Sequence, residues 1–275
     1  RLVDEEFCDY ILDFIDRNKE DPFFVYYPMA LTHRPFEPTP DSPEYKNFDP
    51  PSNKSLGSGK TFEDVEGWKD DSKYYKDMVE YHDKVIGRIV DKLKELNLSE
   101  NTLIIYLGDN GTPVEVESQI GNTTIKGGKG LPSDTGTHVP LICAWPGTVD
   151  HGINQDLIDS TDFLPTILEV TNTTIENYHI DGQSFLAQLY GDKGNPREWL
   201  YFYYEPKNPR RDRLNREPKF IFARDKKWKL YDDGRLFNMG KDLKELNPIL
   251  KNEDTEDSQK GRVKLSEVLE EYTPN

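Results

Sequence analysis

A carboxylate and an amide stand side by side directly after a run of apolar and β-branched residues. Asp109 and Asn110 follow residues 102–107, which carry no charge and predict a short buried strand. Ligands of open α/β sheets bind beyond the carboxyl ends of strands, and Gly108 and Gly111 allow a sharp turn there. Adjacent hard oxygens of this kind suit Ca²⁺ or Mg²⁺ better than zinc. The tripeptide Asp-Asn-Gly at residues 109–111 is also a common turn sequence, so a plain loop without a metal ion is the alternative.

A glycine-rich loop lies further along the chain. Residues 126–130 read Lys-Gly-Gly-Lys-Gly, which is too rich in glycine for a helix or a strand. The backbone of such a loop can come close to a bound group. The pattern lacks the full spacing of a phosphate-binding loop, however, and runs of Gly and Lys are often flexible surface.

Helical and strand patterns alternate through the first part of the chain and predict an α/β fold. Helices are indicated by apolar residues three and four apart, and strands by short apolar or aromatic runs. The predicted helices cover residues 3–17, 72–96 and 160–170, and the predicted strands cover residues 23–27, 102–107 and 139–145.

The composition changes after about residue 195. Short β-prone runs separated by turn signals predict a small antiparallel sheet, with an Asp-Gly hairpin turn at Asp233 and Gly234. A closing helix is predicted over residues 262–272. We therefore expect a larger α/β piece over residues 1–195 and a small sheet-and-helix piece over residues 196–275.

Bulk composition limits the classes of function. The 275 residues carry a formal net charge of −16, so the long-range field repels nucleic acids and anionic membranes. No window is long and apolar enough to span a membrane. Two cysteines, Cys8 and Cys143, cannot make a disulfide framework or a zinc-type spacing and are interpreted as buried thiols.

Several separated segments together resemble the sulfatases of the alkaline phosphatase superfamily. The segments share their order and spacing with that family, and they are residues 27–36, 102–111, 126–130, 134–142 and 144–147. The resemblance implies an alkaline phosphatase-like α/β fold with a mixed, mostly parallel sheet flanked by helices. A small carboxyl-terminal antiparallel sheet with a helix completes it.

The resemblance also implies a role for each candidate residue. Asp109 and Asn110 would bind Ca²⁺, or Mg²⁺, and Lys129 would contact the sulfate and the nucleophile. His33, in the loop after the predicted strand 23–27, would contact the sulfate and donate a proton or hydrogen bond to the leaving oxygen. His138 stands where many relatives have arginine, so substrate contact and packing at a strand edge both remain open.

Asn110 bears on the choice between sulfatase and phosphoesterase. Superfamily members that cleave phosphate esters with two zinc ions generally have histidine there, which is a softer ligand. Asparagine favours the single-calcium sulfatase, and a metal-dependent phosphoesterase is the weaker alternative.

The nucleophile motif of the family is missing. Sulfatases convert a cysteine or serine of a Cys/Ser-x-Pro/Ala-x-Arg motif to formylglycine, and neither Cys8 nor Cys143 begins such a motif. We expect the chain to be the carboxyl-terminal portion of a longer sulfatase, with the formylglycine in an upstream segment, and to be inactive alone. A non-catalytic module that binds sulfated glycans is the alternative from another class.

A basic loop is a candidate for substrate specificity. Arg210 and its neighbours Arg211, Arg213 and Arg216 lie between aromatic runs, and basic and aromatic side chains can grip a sulfated carbohydrate. Such loops are more often merely solvated. The resemblance also implies export to the periplasm, the extracellular space or the lysosome.

Overall fold

The computed structural model describes residues 3–48, 71–205 and 219–273. The chain divides into two compact units. The first contains Arg1–Ile104, Pro113–Lys126 and Ala144–Pro146, and the second contains Ile105–Thr112, Gly127–Cys143 and Gly147–Asn275. The domain boundary expected near residue 195 stays a prediction.

Two helices form the core of the first unit. Helix α1 spans Val3–Arg17, as predicted, and α2 spans Tyr75–Glu95 after a 3-10 turn at Ser72–Tyr74. The predicted apolar stripe of α2 is buried at Met78, Tyr81, Val85 and Leu93. On α1 the core side is formed by Cys8, Ile11 and Ile15.

The predicted stripe of α1 is too wide. Phe7 and Tyr10 also lie three or four residues from its apolar neighbours, yet both are exposed. Spacing alone does not fix how wide the buried face is, because that depends on what packs against it.

One local prediction in the first unit is wrong. Residues 23–27 do not form the predicted strand, because no described strand pairs with them. Residues 112–124 are polar and give no definite prediction from the sequence. The structure places most of a hairpin there, in which β2 (Glu117–Ile120) pairs antiparallel with β3 (Thr123–Lys126). Gly121 turns it with a φ of +57°.

Strand β1 (Ile104–Leu107) pairs with β4 (Leu141–Ala144), and most of both strands belongs to the second unit. The prediction that β1 is covered on both faces is wrong for the part of the chain described. Leu107 is exposed, and Ile142 on the paired strand is 59% exposed. The pair still positions the turn that follows β1.

Short helices lie in the second unit, both before and after β4. Helix α3 spans Asp134–Thr137, α4 spans Phe163–Val170 after a 3-10 turn at Ser160–Asp162, and α5 spans Leu186–Leu189. The predicted helix 160–170 is confirmed.

A four-stranded antiparallel sheet lies in the carboxyl-terminal part of the chain, as predicted. It contains β5 (Leu200–Tyr204), β6 (Phe220–Arg224), β7 (Trp228–Tyr231) and β8 (Leu236–Asn238) in that order. Helix α6 (Glu256–Tyr272) packs on it and begins six residues earlier than predicted, with Thr255 as its N-cap. The sheet and α6 share one apolar core, formed by Ala223, Trp228, Leu230, Leu236, Leu265 and Val268. None of the helices within the described residues is long and apolar enough to cross a membrane.

Candidate functional site

The acid–amide turn follows β1 in the second unit. Asp109 is exposed to solvent and Asn110 is half-buried. The backbone on both sides of the pair is fixed: the N–H of Gly108 donates to the carbonyl oxygen of Pro140 at 3.0 Å, and the N–H of Gly111 donates to that of Gly136 at 3.0 Å. The two oxygen-bearing side chains therefore stand on an anchored turn.

The glycine-rich loop is hydrogen-bonded to the residue just beyond that turn. The backbone N–H of Lys129 donates to the carbonyl oxygen of Thr112 at 2.9 Å. Gly130 adopts a φ of +81°, in the left-handed region that glycine tolerates best. The structure thus brings the backbones of the turn and the loop together.

Three glycines make this approach close. A β-carbon on Gly111 would stand 1.9 Å from the carbonyl oxygen of Thr135, and one on Gly128 would stand 2.2 Å from the Oγ1 of Thr135. A β-carbon on Gly136 would stand 2.2 Å from the carbonyl oxygen of Leu131. Real β-carbons do not approach other atoms so closely, so only glycine fits at these contacts. The turn, the loop and α3 interlock through them.

Helix α3 presents His138 at its end. The backbone N–H of His138 donates to the carbonyl oxygen of Asp134 at 2.9 Å. Its side chain is 77% exposed, and its Nδ1 lies 4.0 Å from Asp134 Oδ2. An exposed ring beside a carboxylate can contact a ligand, and it packs little against β4.

Lys126 and Lys129 flank the same glycine pair but differ in surroundings. Lys126 lies at the end of the hairpin, is 73% exposed and has its Nζ 3.4 Å from Glu117 Oε1. Lys129 is half-buried. Lys126 is therefore largely solvated and paired with Glu117 on the surface.

His33 lies in the first unit, on an exposed turn. Its backbone N–H donates to the carbonyl oxygen of Ala30 at 2.8 Å, and its Nδ1 lies 2.7 Å from the carbonyl oxygen of Arg34. A carbonyl oxygen only accepts, so Nδ1 carries a hydrogen and Nε2 is the nitrogen left for proton transfer. The role of His33 at the sulfate, which the resemblance implies, stays a prediction. Arg210 lies outside the described residues.

The acid–amide pair offers only part of the donor set of a calcium ion. Asp109 has two carboxylate oxygens and Asn110 one amide oxygen, whereas Ca²⁺ takes about six to eight oxygen ligands. In the described parts of the chain, no three histidine, cysteine, aspartate or glutamate side chains group closely enough to hold a metal ion. Asp109 and Asn110 can therefore provide some of the ligands of a calcium ion, and a complete site requires further ligands.

Two cations of the carboxyl-terminal sheet reach the segment after Lys129, and sequence reasoning missed both. Arg224 Nη1 donates to Asp134 Oδ1 at 2.7 Å, and the fully buried Lys229 donates to the carbonyl oxygen of Pro132. The only sequence signal was a lysine inside the apolar run Trp228–Tyr231. Burial lowers the pKa of Lys229, and the adjacent Glu245 carboxylate opposes that shift.

The cysteines do not form part of this site. Cys8 is buried in the first unit and Cys143 is partly buried on β4. Burial raises the pKa of Cys143 to about 11, and burial also raises the pKa of Cys8. A thiol with a raised pKa is a poor nucleophile near neutral pH.

Comparison with known proteins identifies the family. The model of the family described as "Sulfatase" matches residues 2–173, well over half of the chain. This chain belongs to the sulfatase family. A second model, described as "N-sulphoglucosamine sulphohydrolase, C-terminal", matches residues 129–273 of the sulfatase chain. The resemblance inferred from the separated motifs is thereby confirmed.

The sulfatase chain is shorter than its relatives. The arylsulfatase of Hemicentrotus pulcherrimus is 32% identical to it over 199 residues, which are 72% of this chain and 32% of the relative. The chain spans about a third of the length of the curated relatives it matches.

Solved structures share the fold of this sulfatase. The PsFucS1 sulfatase from Pseudoalteromonas sp. superposes with a TM-score of 0.65 at 23% identity, over 98% of this chain and 52% of that one. A protein solved with its substrate D-glucosamine-2-N,6-O-disulfate superposes with a TM-score of 0.68 at 18% identity, over 99% of this chain and 70% of that one. The predicted alkaline phosphatase-like α/β fold is confirmed.

Proposed function

We propose that this chain is the part of an arylsulfatase-like sulfuric ester hydrolase that binds the metal ion and the sulfate. The observation that carries the proposal is the interlock of Gly111, Gly128 and Gly136, which brings the acid–amide turn and the Lys129 loop against each other. Sulfate ester hydrolysis needs positive charge at the sulfate oxygens and a nucleophile near sulfur. The first requirement falls on residues of this chain.

The acid–amide pair is proposed to hold Ca²⁺, or Mg²⁺. Asp109 supplies its carboxylate and Asn110 its amide oxygen, and other residues complete the coordination. When bound, the ion supplies positive charge that polarises the sulfate and orients the nucleophile. Lys129 adds a second positive charge from a backbone fixed by Thr112. Its half-buried position strengthens its attraction to an anion relative to a fully solvated lysine.

His33 and His138 are proposed to act on the substrate. With Nδ1 of His33 donating to the Arg34 carbonyl oxygen, the protonated ring presents Nε2–H to the leaving oxygen. His138 offers an exposed ring near the sulfate, held by the backbone of Asp134. Arg210 is proposed as a further contact to the substrate.

The nucleophile is proposed to be a formylglycine in a segment upstream of these residues. The sulfatase chain of 275 residues offers no Cys/Ser-x-Pro/Ala-x-Arg motif and two thiols whose pKa values are raised by burial. The substrate is proposed to be a sulfated carbohydrate, because a structural neighbour was solved with a sulfated glucosamine as its substrate.

The test compares two lysines of one loop in the complete natural protein. Lys129→Ala should lower kcat/KM for an aryl sulfate about 100-fold or more, since a positive charge at the transition state is lost. The matched control Lys126→Ala should stay within about twofold, because Lys126 pairs with Glu117 on the surface. Equal effects of the two substitutions would contradict the proposed site.

Metal dependence and turnover provide separate outcomes. Asp109→Ala should abolish calcium binding measured by calorimetry, and chelation should remove the activity of the wild type. The 275-residue chain alone should hydrolyse no sulfate ester. Faster cleavage of phosphate esters than of sulfate esters would favour a phosphoesterase. Binding of sulfated sugars by the complete protein without turnover would favour a glycan-binding module.

A further inference from the structure

A fully buried lysine connects the carboxyl-terminal sheet to the glycine-rich loop. Lys229 lies on β7 and its side chain is 0% exposed. Its Nζ donates to the carbonyl oxygen of Pro132 and, at 2.8 Å, to Glu245 Oε1. It also lies 4.0 Å from the centroid of the Phe222 ring. A buried ammonium group is retained only where such partners replace water.

An arginine on the neighbouring strand makes a parallel connection. Arg224 of β6 stands directly opposite Lys229 in the strand register, so both side chains project from the same face of the sheet. Arg224 pairs with Asp134 at 2.7 Å, with side chains only 14% and 13% exposed. Like charges placed opposite each other normally destabilise a sheet. Here separate acceptors, Glu245 for one cation and Asp134 for the other, offset that cost.

Both connections end on the segment that carries Lys129. Pro132 is three residues and Asp134 five residues beyond it. A hydrogen bond within the loop surrounds Lys129, since the N–H of Leu131 donates to the carbonyl oxygen of Gly128 at 2.8 Å. This hydrogen bond connects the contacted residues Pro132 and Asp134 to the glycine-rich loop.

We propose that Lys229 and Arg224 are positioning residues that hold the loop and α3, and through them Lys129, in the conformation that binds sulfate. We call this pair of contacts the clamp: Lys229 binds Pro132 and Arg224 binds Asp134, both from one face of the sheet. The sulfate-binding part of this statement rests on the proposed function. The clamp itself rests on the contacts of Pro132 and Asp134.

Hydrogen–deuterium exchange in the complete natural protein tests the clamp directly. In Lys229→Met and Arg224→Met, the amides of Lys129, Leu131 and Gly136 should exchange at least about tenfold faster than in the wild type, because their hydrogen bonds open more often. Arg224→Met carries the test if Lys229→Met does not fold, since Arg224 is not fully buried.

Arg262→Met is the matched control. Arg262 is also a buried cation of the same unit, but it donates to Asp254 and to the carbonyl oxygens of Gly234 and Ile249. Its loss should leave the loop amides within about twofold of the wild type. The clamp would be overturned if those amides exchanged equally fast in Arg224→Met and in the wild type. It would also be overturned if Arg262→Met accelerated their exchange as much as Arg224→Met does.

A double-substitution cycle separates positioning from general destabilisation. Arg224→Met should lower kcat/KM for a sulfate ester about tenfold, but less than about threefold in a Lys129→Ala background, because coupled residues are not additive. Arg224→Lys, which keeps the positive charge, should restore part of the loss. An equal loss in both backgrounds would overturn the positioning role. A wild type without sulfatase activity would refute the proposed function, and the exchange experiment would still decide the clamp.

Discussion

The backbone N–H of Gly111 donates to the carbonyl oxygen of Gly136 at 3.0 Å. This bond joins the turn after β1 to α3, and the absence of a side chain on Gly111 makes it attainable. A β-carbon there would stand 1.9 Å from the carbonyl oxygen of Thr135, a backbone atom that cannot rotate away. The acid–amide pair can therefore hold this position only because Gly111 has no β-carbon.

Gly111→Ala should therefore displace the turn from α3. We expect the free energy of unfolding to fall by about 1–3 kcal/mol or more, because the methyl group overpacks a backbone contact. Urea denaturation measures the loss. Gly152→Ala is the control, since a β-carbon on Gly152 meets nothing within 4 Å. If both substitutions change stability equally, the interlock does not constrain the turn.

A buried ion pair elsewhere in the second unit should contribute to stability and not to binding. Asp162, 1% exposed, accepts from Arg197 Nε at 3.1 Å and from the backbone N–H of Gln183 at 2.7 Å. Asp162→Asn leaves the guanidinium buried without its counter-charge. We expect the free energy of unfolding to fall by about 3–5 kcal/mol.

The exposed pair of Asp13 and Arg17 on α1 is the control for that loss. The same Asp→Asn change at Asp13, whose Oδ2 lies 2.8 Å from Arg17 Nε, should alter the unfolding free energy by less than about 1 kcal/mol. Thermal unfolding followed by circular dichroism compares the two variants. A small effect at Asp162 would show that the buried pair is dispensable.

His82 should make the protein less stable in mild acid. Burial lowers the pKa of His82 from its usual 6.5, and its Nδ1 lies 3.1 Å from the carbonyl oxygen of Leu31. The unfolded chain then binds the proton more readily than the folded chain. The stability that the neutral His82 contributes is fully present above pH 6.5. It is lost as the pH falls through the lowered pKa of His82 in the folded chain.

The measurement is the change in unfolding free energy between neutral and mildly acid pH. His82→Gln should reduce that change relative to the wild type, because the titrating group is gone, whatever its effect at neutral pH. His151→Gln, on an exposed position, should leave the pH dependence as it is. An unchanged pH dependence in His82→Gln would contradict the prediction.

Local patterns predicted most of the regular structure. The bounds of α1 agreed with the predicted helix, and the antiparallel sheet followed from β-prone runs separated by turn signals. The hairpin turn was readable from Asp233 and Gly234, where Gly234 has a φ of +88°. Where pairing partners decide the outcome, the same reasoning was wrong: residues 23–27 have strand composition but no described partner strand.

The amino-acid sequence was sufficient to recognise the sulfatase family and to select Asp109, Asn110 and Lys129 as candidate residues, because each stands in a short local motif. The contacts of Arg224 and Lys229 with the segment that follows Lys129 became visible only in the folded chain. Lys229 and Pro132 are 97 residues apart in the chain. A lysine in a strand is ordinarily exposed, and only the packed sheet removes it from water and directs its charge to a distant carbonyl oxygen.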